Sequence, residues 1–184
     1  MFKIPDGLDP DIYCAGRLPA SGSSRKIGPP KKPGGRDLNY FAYGSNMNWQ
    51  QMQRRCPSSQ FVCVGRLPDY RFAIARHSRL RKCGTANIFP ETGSEVWGIV
   101  YQVSDQDLIL LDSFEDGYQR EQILIHPIND GHRPLESLVY IAPKEDAPPP
   151  PDADYKRLML DGALYWRLPD EYRVMLEKIV VAVP

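Results

Sequence analysis

Between Leu38 and Ile141 one texture keeps returning: short runs of β-branched and aromatic residues cut by Gly, Pro, Asn, Asp or Ser. The runs are Leu38 to Tyr43, Phe61 to Arg66, Tyr70 to Ala75, Thr85 to Phe89, Glu95 to Val103, Gln119 to Pro127 and Leu135 to Ile141. Such residues suit a pleated, half-buried surface, and they supply about six or seven strands. Helical spacing comes mainly afterwards, in Asp154 to Leu164 and Pro169 to Val180, beyond the stiff extended connector Pro148 to Pro151. Strands first and helices last imply an α+β domain with a curled sheet.

Two short helices interrupt the strands. Trp49 to Arg55 reads as a brief helix ending at Cys56-Pro57. Ser104 to Asp112 reads as another, because the Ser104 hydroxyl can cap it and Asp107 stands three residues on, where a capping box needs an acid. Residues 1–37 have another composition, rich in Gly, Pro, Ser and Lys and ending in Gly28-Pro29-Pro30-Lys31-Lys32-Pro33-Gly34-Gly35. They are expected to form an arm, with Tyr13 and Leu18 as its anchors, and 38–184 a single domain.

Composition excludes several roles. Lys plus Arg and Asp plus Glu both number 23, so no overall charge favours nucleic acid or an acidic membrane. No window approaches eighteen apolar residues and no signal-peptide pattern opens the chain, so a cytoplasmic protein is expected. Cys14, Cys56, Cys63 and Cys83 show no metal-binding spacing; four reduced thiols and no metal are expected. The Arg54-Arg55 pair could lower the Cys56 thiol pKa, but no histidine lies near it in sequence. His77, His126 and His132 are scattered over strand ends and turns, where structural roles are expected. The basic cluster Arg71, Arg76, Arg79, Arg81 and Lys82 reads as a solvated hairpin tip.

Two places can carry chemistry. In Tyr40-Phe41-Ala42-Tyr43-Gly44-Ser45-Asn46-Met47 a small-residue loop precedes a helix, so successive backbone N–H groups can converge on a carboxylate or an oxyanion. Gly-Ser-Asn is equally common as a plain turn. Glu115 follows Phe114 and precedes Asp116-Gly117-Tyr118. Against aromatic walls its charged form loses solvation and its pKa rises toward a range that suits proton transfer. An acid pair before glycine is also an ordinary solvated turn, and Asp116 is its rival.

Taken in order, these residues resemble the γ-glutamylcyclotransferase family. The resemblance rests on Tyr40-Phe41-Ala42-Tyr43-Gly44-Ser45-Asn46, Cys56-Pro57, Glu95-Val96-Trp97-Gly98-Ile99-Val100-Tyr101, Leu111-Asp112, the Glu115 to Tyr118 turn, the Pro151, Tyr155, Gly162 spacing and Leu168-Pro169-Asp170-Glu171-Tyr172. It runs from Leu38 to about Val180 and leaves the first 37 residues without a counterpart.

The resemblance implies a small mixed β-barrel of about six or seven strands with flanking helices, without metal or organic cofactor. It implies an enzyme whose substrate is a small γ-glutamyl compound: the α-amine attacks its own γ-carbonyl, releasing 5-oxoproline and an amine or amino acid. Carried over position by position, Glu115 is the acid/base, Tyr43, Gly44, Ser45 and Asn46 bind the glutamyl head group, and Tyr118 and Tyr155 stand at or near the site. The turn from Glu115 to Tyr118 is several residues shorter than in the mammalian form, which offsets Tyr118 and leaves substrate scope open. Removal of a γ-glutamyl group from an amine metabolite, and a non-catalytic binding barrel, stay open beside the main reading, as does the oligomeric state, homodimer included.

Overall fold

The computed structural model describes residues 38–128 and 133–182. The arm 1–37, its anchors Tyr13 and Leu18, and His132 lie outside the described residues. The elements are β1 (Leu38–Ala42), a 3-10 turn (Ser45–Met47), α1 (Trp49–Arg55), β2 (Gln60–Ser78), β3 (Cys83–Val103), α2 (Asp105–Asp112), β4 (Gln119–Pro127), β5 (Leu135–Ile141), α3 (Ala153–Tyr165) and α4 (Asp170–Glu177).

The strands close into a barrel in the order β1-β3-β2-β4-β5. Its seam is β1, antiparallel to β3 but parallel to β5 with Tyr40 opposite Leu138, so the barrel is mixed and its strands are paired around the ring. There are five strands among the described residues rather than six or seven. Phe61 to Arg66 and Tyr70 to Ala75 fuse into β2, and Thr85 to Phe89 and Glu95 to Val103 fuse into β3. The residues expected to break β2 bend it instead. Register slips between Pro68 and Tyr70, Asp69 adopts φ 59°, and its carboxylate accepts the Gly93 N–H at 2.9 Å. A bulge is where a strand tolerates a proline that cannot donate to the ladder.

The core includes Phe41, Ile88, Val96, Ile99, Val100, Ile125 and Val139, all fully buried. The helices pack outside. Asn48 caps α1 by accepting the Gln51 N–H at 3.0 Å, and Ser104 and Asp107 form the expected reciprocal capping box on α2. The proline connector lies against β3, where Gly84 N–H donates to the Pro150 carbonyl at 3.0 Å.

α3 holds the 3-10 turn in place. The Trp166 indole N–H just beyond it donates to the Met47 carbonyl at 2.9 Å, and the Trp166 ring stacks on Phe61 at 4.2 Å. Gly162 lets the helix touch the turn: a Cβ there would lie 2.5 Å from the Met47 carbonyl carbon and 2.7 Å from the Asn48 nitrogen. Backbone on both sides cannot yield, so Gly162→Ala should cost about 1–3 kcal/mol through overpacking, despite the better helix propensity of alanine. Urea denaturation of the two proteins measures the difference; equal midpoints would mean that the turn yields freely.

Candidate functional site

β1 delivers the first wall of the site. Beyond Ala42 the chain turns through Tyr43 and Gly44 into the 3-10 turn, whose own hydrogen bonds begin with the Met47 N–H to the Gly44 carbonyl at 3.0 Å. The N–H groups of Gly44, Ser45 and Asn46 precede that first bond, as donors do at a helix start. At Gly44 the fit is close: a Cβ would lie 3.0 Å from the Tyr155 hydroxyl and 3.2 Å from the Ala86 Cβ.

The second wall is the turn between α2 and β4. Asp112, at the end of α2, accepts hydrogen bonds from Arg120 Nε at 2.8 Å and from the Tyr140 hydroxyl at 2.8 Å, which ties the turn to two strands. Arg120 and Tyr140 hold its carboxyl below the ordinary carboxylate range, outweighing the opposing effect of burial. After Asp112 the Tyr118 N–H closes on the Glu115 carbonyl at 3.1 Å, and Gly117 supplies the φ of +78° that this reversal requires. Glu115 is half-buried, whereas Asp116, which also borders the cavity, is exposed and gives its carbonyl to Arg76 Nη2 at 3.3 Å.

One cavity is lined by all seven residues that the sequence singled out: Tyr43, Gly44, Ser45, Asn46, Glu115, Tyr118 and Tyr155. Asn46 joins the walls. Its Nδ2 donates to Glu115 Oε1 at 3.2 Å and to the Tyr40 hydroxyl at 2.9 Å, while its Oδ1 accepts from Gln51 Nε2 at 3.1 Å and Arg55 Nη1 at 2.9 Å. Tyr43 donates its hydroxyl to the Tyr140 carbonyl at 2.5 Å. Tyr118 and Tyr155 hold one residue through both its backbone groups: the Tyr118 hydroxyl donates to the Ala86 carbonyl at 2.6 Å, and the Ala86 N–H donates to the Tyr155 hydroxyl at 2.9 Å.

Burial is the largest influence on the Glu115 carboxyl and raises its pKa from 4.5 to about 7. Arg55, Arg81 and the Asn46 amide pull the other way without cancelling it. Burial also raises the phenols of Tyr40, Tyr43, Tyr118, Tyr140 and Tyr155, which therefore stay protonated near neutrality. A cavity of this kind combines one carboxyl that can ionise near neutral pH with fixed donors and neutral hydroxyls.

Sequence reasoning overlooked Tyr40, Gln51, Arg55, Arg81, Thr85 and Tyr140. Gln51 and Arg55 stand four apart on α1 and both reach Asn46, a spacing that was readable. Arg81 corrects the expectation of a solvated hairpin tip. Arg79 and Lys82 are exposed, but Arg81 turns inward, with Nη2 2.8 Å from Gln51 Oε1 and its guanidinium over the Tyr155 ring at 5.1 Å. Arg76 is half-buried and ion-paired with Glu145, and Arg71 pairs with Glu91 at 3.3 Å. Cys56 is buried, which pushes its thiol up to about 12, and it does not line the cavity; nor do His77 and His126. Among the described residues Cys56, Cys63 and Cys83 form no disulfide, and no three His, Cys, Asp or Glu side chains gather as a metal site would need. No helix of these residues is long and apolar enough to cross a membrane.

Residues 40–157 match the family described as gamma-glutamyl cyclotransferase, AIG2-like. The gamma-glutamylcyclotransferase of Mus musculus is 32% identical over 153 residues, covering 79% of this chain and 80% of the mouse protein. That of Homo sapiens is 33% identical over 147 residues, covering 76% and 77%. A solved structure described as gamma-glutamyl cyclotransferase matches with a TM-score of 0.74 at 29% identity, over 81% of this chain and 91% of the other.

The raised Glu115 pKa has a consequence for stability. Because the folded state holds this proton up to about pH 7 and the unfolded chain releases it near 4.5, the ionised carboxylate burdens the fold fully above pH 7. The burden declines as pH falls through 7 and is gone below 4.5. Glu115→Gln should therefore be more stable than the native protein by about 1–3 kcal/mol at pH 8, a figure that allows for partial exposure of the residue, with the advantage vanishing near pH 4.5. Chemical denaturation across this pH range measures it, and a pH-independent difference would contradict burial as the cause.

Proposed function

The chain belongs to the γ-glutamyl cyclotransferase, AIG2-like family, and from that premise we propose that it cyclises a γ-glutamyl compound through Glu115. The α-amine of the γ-glutamyl group attacks its own γ-carbonyl carbon, the five-membered ring closes, the γ C–N bond breaks, and 5-oxoproline and the attached amine or amino acid depart. No external nucleophile is needed, and a well-oriented intramolecular attack is worth roughly 7–11 kcal/mol over a bimolecular one.

The single observation that carries this proposal is the Glu115 carboxyl, lodged in the cavity against the Asn46 amide and raised to about pKa 7. Ionised, it takes a proton from the substrate α-ammonium and frees the nucleophile. Protonated, it returns that proton to the leaving nitrogen as the tetrahedral centre collapses. A carboxyl titrating near neutrality suits both halves, whereas an ordinary one at 4.5 would be a poor acid in the second.

The fixed parts position the head group. Backbone donors of Gly44, Ser45 and Asn46 meet an anionic oxygen of the substrate, and neutral Tyr43, Tyr118 and Tyr155 shape the wall around the reacting carbon. The catalytic domain spans 38–184 with the arm 1–37 outside the chemistry. The proposed partner is the small γ-glutamyl substrate, the proposed compartment is the cytoplasm, and a homodimer is compatible with this scheme.

Turnover of γ-glutamyl dipeptides, glutathione and γ-glutamyl amines, assayed as 5-oxoproline release, tests the proposal. Glu115→Gln should keep its fold and substrate affinity and lose about 10²- to 10⁴-fold in kcat. A Glu115→Gln protein that turns over normally would remove the assignment. Since Glu115 must be ionised in the free enzyme to accept the proton, kcat/KM should fall about tenfold per pH unit below about 7. Ser45→Ala should cost at most about tenfold, because backbone groups do the binding; a loss matching that of Glu115→Gln would show that the hydroxyl itself takes part.

A further inference from the structure

Two arginines of the cavity are distinguished by what they lack. Arg66, Arg71, Arg76, Arg120, Arg157 and Arg173 each pair with an Asp or Glu of the chain. Arg55 and Arg81, both half-buried and both lining the cavity, have no carboxylate within ion-pair distance among the described residues. A guanidinium withdrawn from water without an anion is costly, and the cost is removed when an anion arrives.

Their placement indicates which anion. Arg55 Nη1 lies 2.9 Å from Asn46 Oδ1, and Arg81 Nη2 lies 2.8 Å from Gln51 Oε1 and 3.5 Å from Ser45 Oγ. Gln51 Nε2 in turn donates to both Ser45 Oγ and Asn46 Oδ1 at 2.9 and 3.1 Å. The two cations are thus tied to the side chains of the very loop, Gly44 to Asn46, that lines the cavity. An anion resting on that loop lies within reach of two permanent positive charges. An oxyanion exists only in passing, so permanent charges there match a permanent anion better.

Resting on the reading above, we propose that Arg81, reaching in from the turn between β2 and β3, binds the α-carboxylate of the γ-glutamyl head group over the Gly44 to Asn46 loop, with Arg55 as the second cation. The zwitterionic head group then finds an anion, Glu115, for its ammonium and guanidinium groups for its carboxylate. Tyr155, beneath Arg81 at 5.1 Å, keeps the planar group from swinging out to solvent. Arg81 is a substrate-positioning residue; it moves no proton.

The test compares a γ-glutamyl dipeptide with its analogue in which the glutamyl α-carboxylate is a carboxamide, leaving the α-amine and γ-carbonyl unchanged. Native enzyme should prefer the carboxylate by about 100-fold in kcat/KM. Arg81→Gln should lose roughly 10- to 100-fold on the carboxylate substrate, chiefly in KM, and clearly less on the carboxamide, where only its effect on the Glu115 carboxyl is lost, so that the preference collapses. Arg81→Lys, which keeps charge without the fork, should retain part of the preference and decides the matter if the Gln variant does not fold. Equal loss on both substrates, or an unchanged preference in either folded variant, overturns the inference while leaving the cyclisation reading intact. If native enzyme closes neither substrate nor any other γ-glutamyl compound, the cyclisation reading fails and this inference falls with it.

Discussion

Insertion of β1 between β3 and β5 is the constraint on which the rest of the molecule depends. The strand is five residues long, yet its antiparallel pairing with β3 and its parallel pairing with β5 close the sheet. Closure fixes where its C-terminal end emerges, and that end carries Tyr43, Gly44, Ser45 and Asn46. The turn bearing Glu115 is fixed independently, through Asp112, to Arg120 of β4 and Tyr140 of β5. Asn46 and Glu115 are 69 residues apart in sequence and 3.2 Å apart in space because one closed ring holds both ends.

The site balances opposing electrostatic effects. Burial raises the Glu115 carboxyl and outweighs Arg55, Arg81 and the Asn46 amide, which lower it; the outcome is about 7. The same guanidinium groups that restrain Glu115 are the ones proposed to receive an anion of the substrate. On the proposed reading, acid strength and substrate binding are coupled through Arg55 and Arg81, and the side-chain amides of Asn46 and Gln51 link one to the other.

Local chemistry was plainly written in the chain. The Ser104 and Asp107 capping box forms as residue spacing requires, and the α+β class follows from where the strand runs end and the helical runs begin. The strand number was not readable in the same way. Pro68-Asp69 is a strong break in one dimension, but a bulge absorbs it because the partner strand runs on past it and Asp69 finds the Gly93 N–H. Arg81 shows the same effect at the site: five basic residues around a turn look solvated, and nothing local marks the one that folds back across 36 positions to Ser45.

The sequence by itself determined the class of fold, because caps, turns and alternating apolar residues act over a few bonds, while the order of its motifs pointed to the family and, through that resemblance, to the loop Tyr43 to Asn46 and Glu115. Tertiary structure alone decided that these pieces share one cavity, that Glu115 is half-buried there while its neighbour Asp116 stays exposed, and that Arg55 and Arg81 have no carboxylate within ion-pair distance among the described residues. The physical reason is distance. Desolvation and charge depend on neighbours in space, and closure of the barrel, not proximity along the chain, chooses those neighbours.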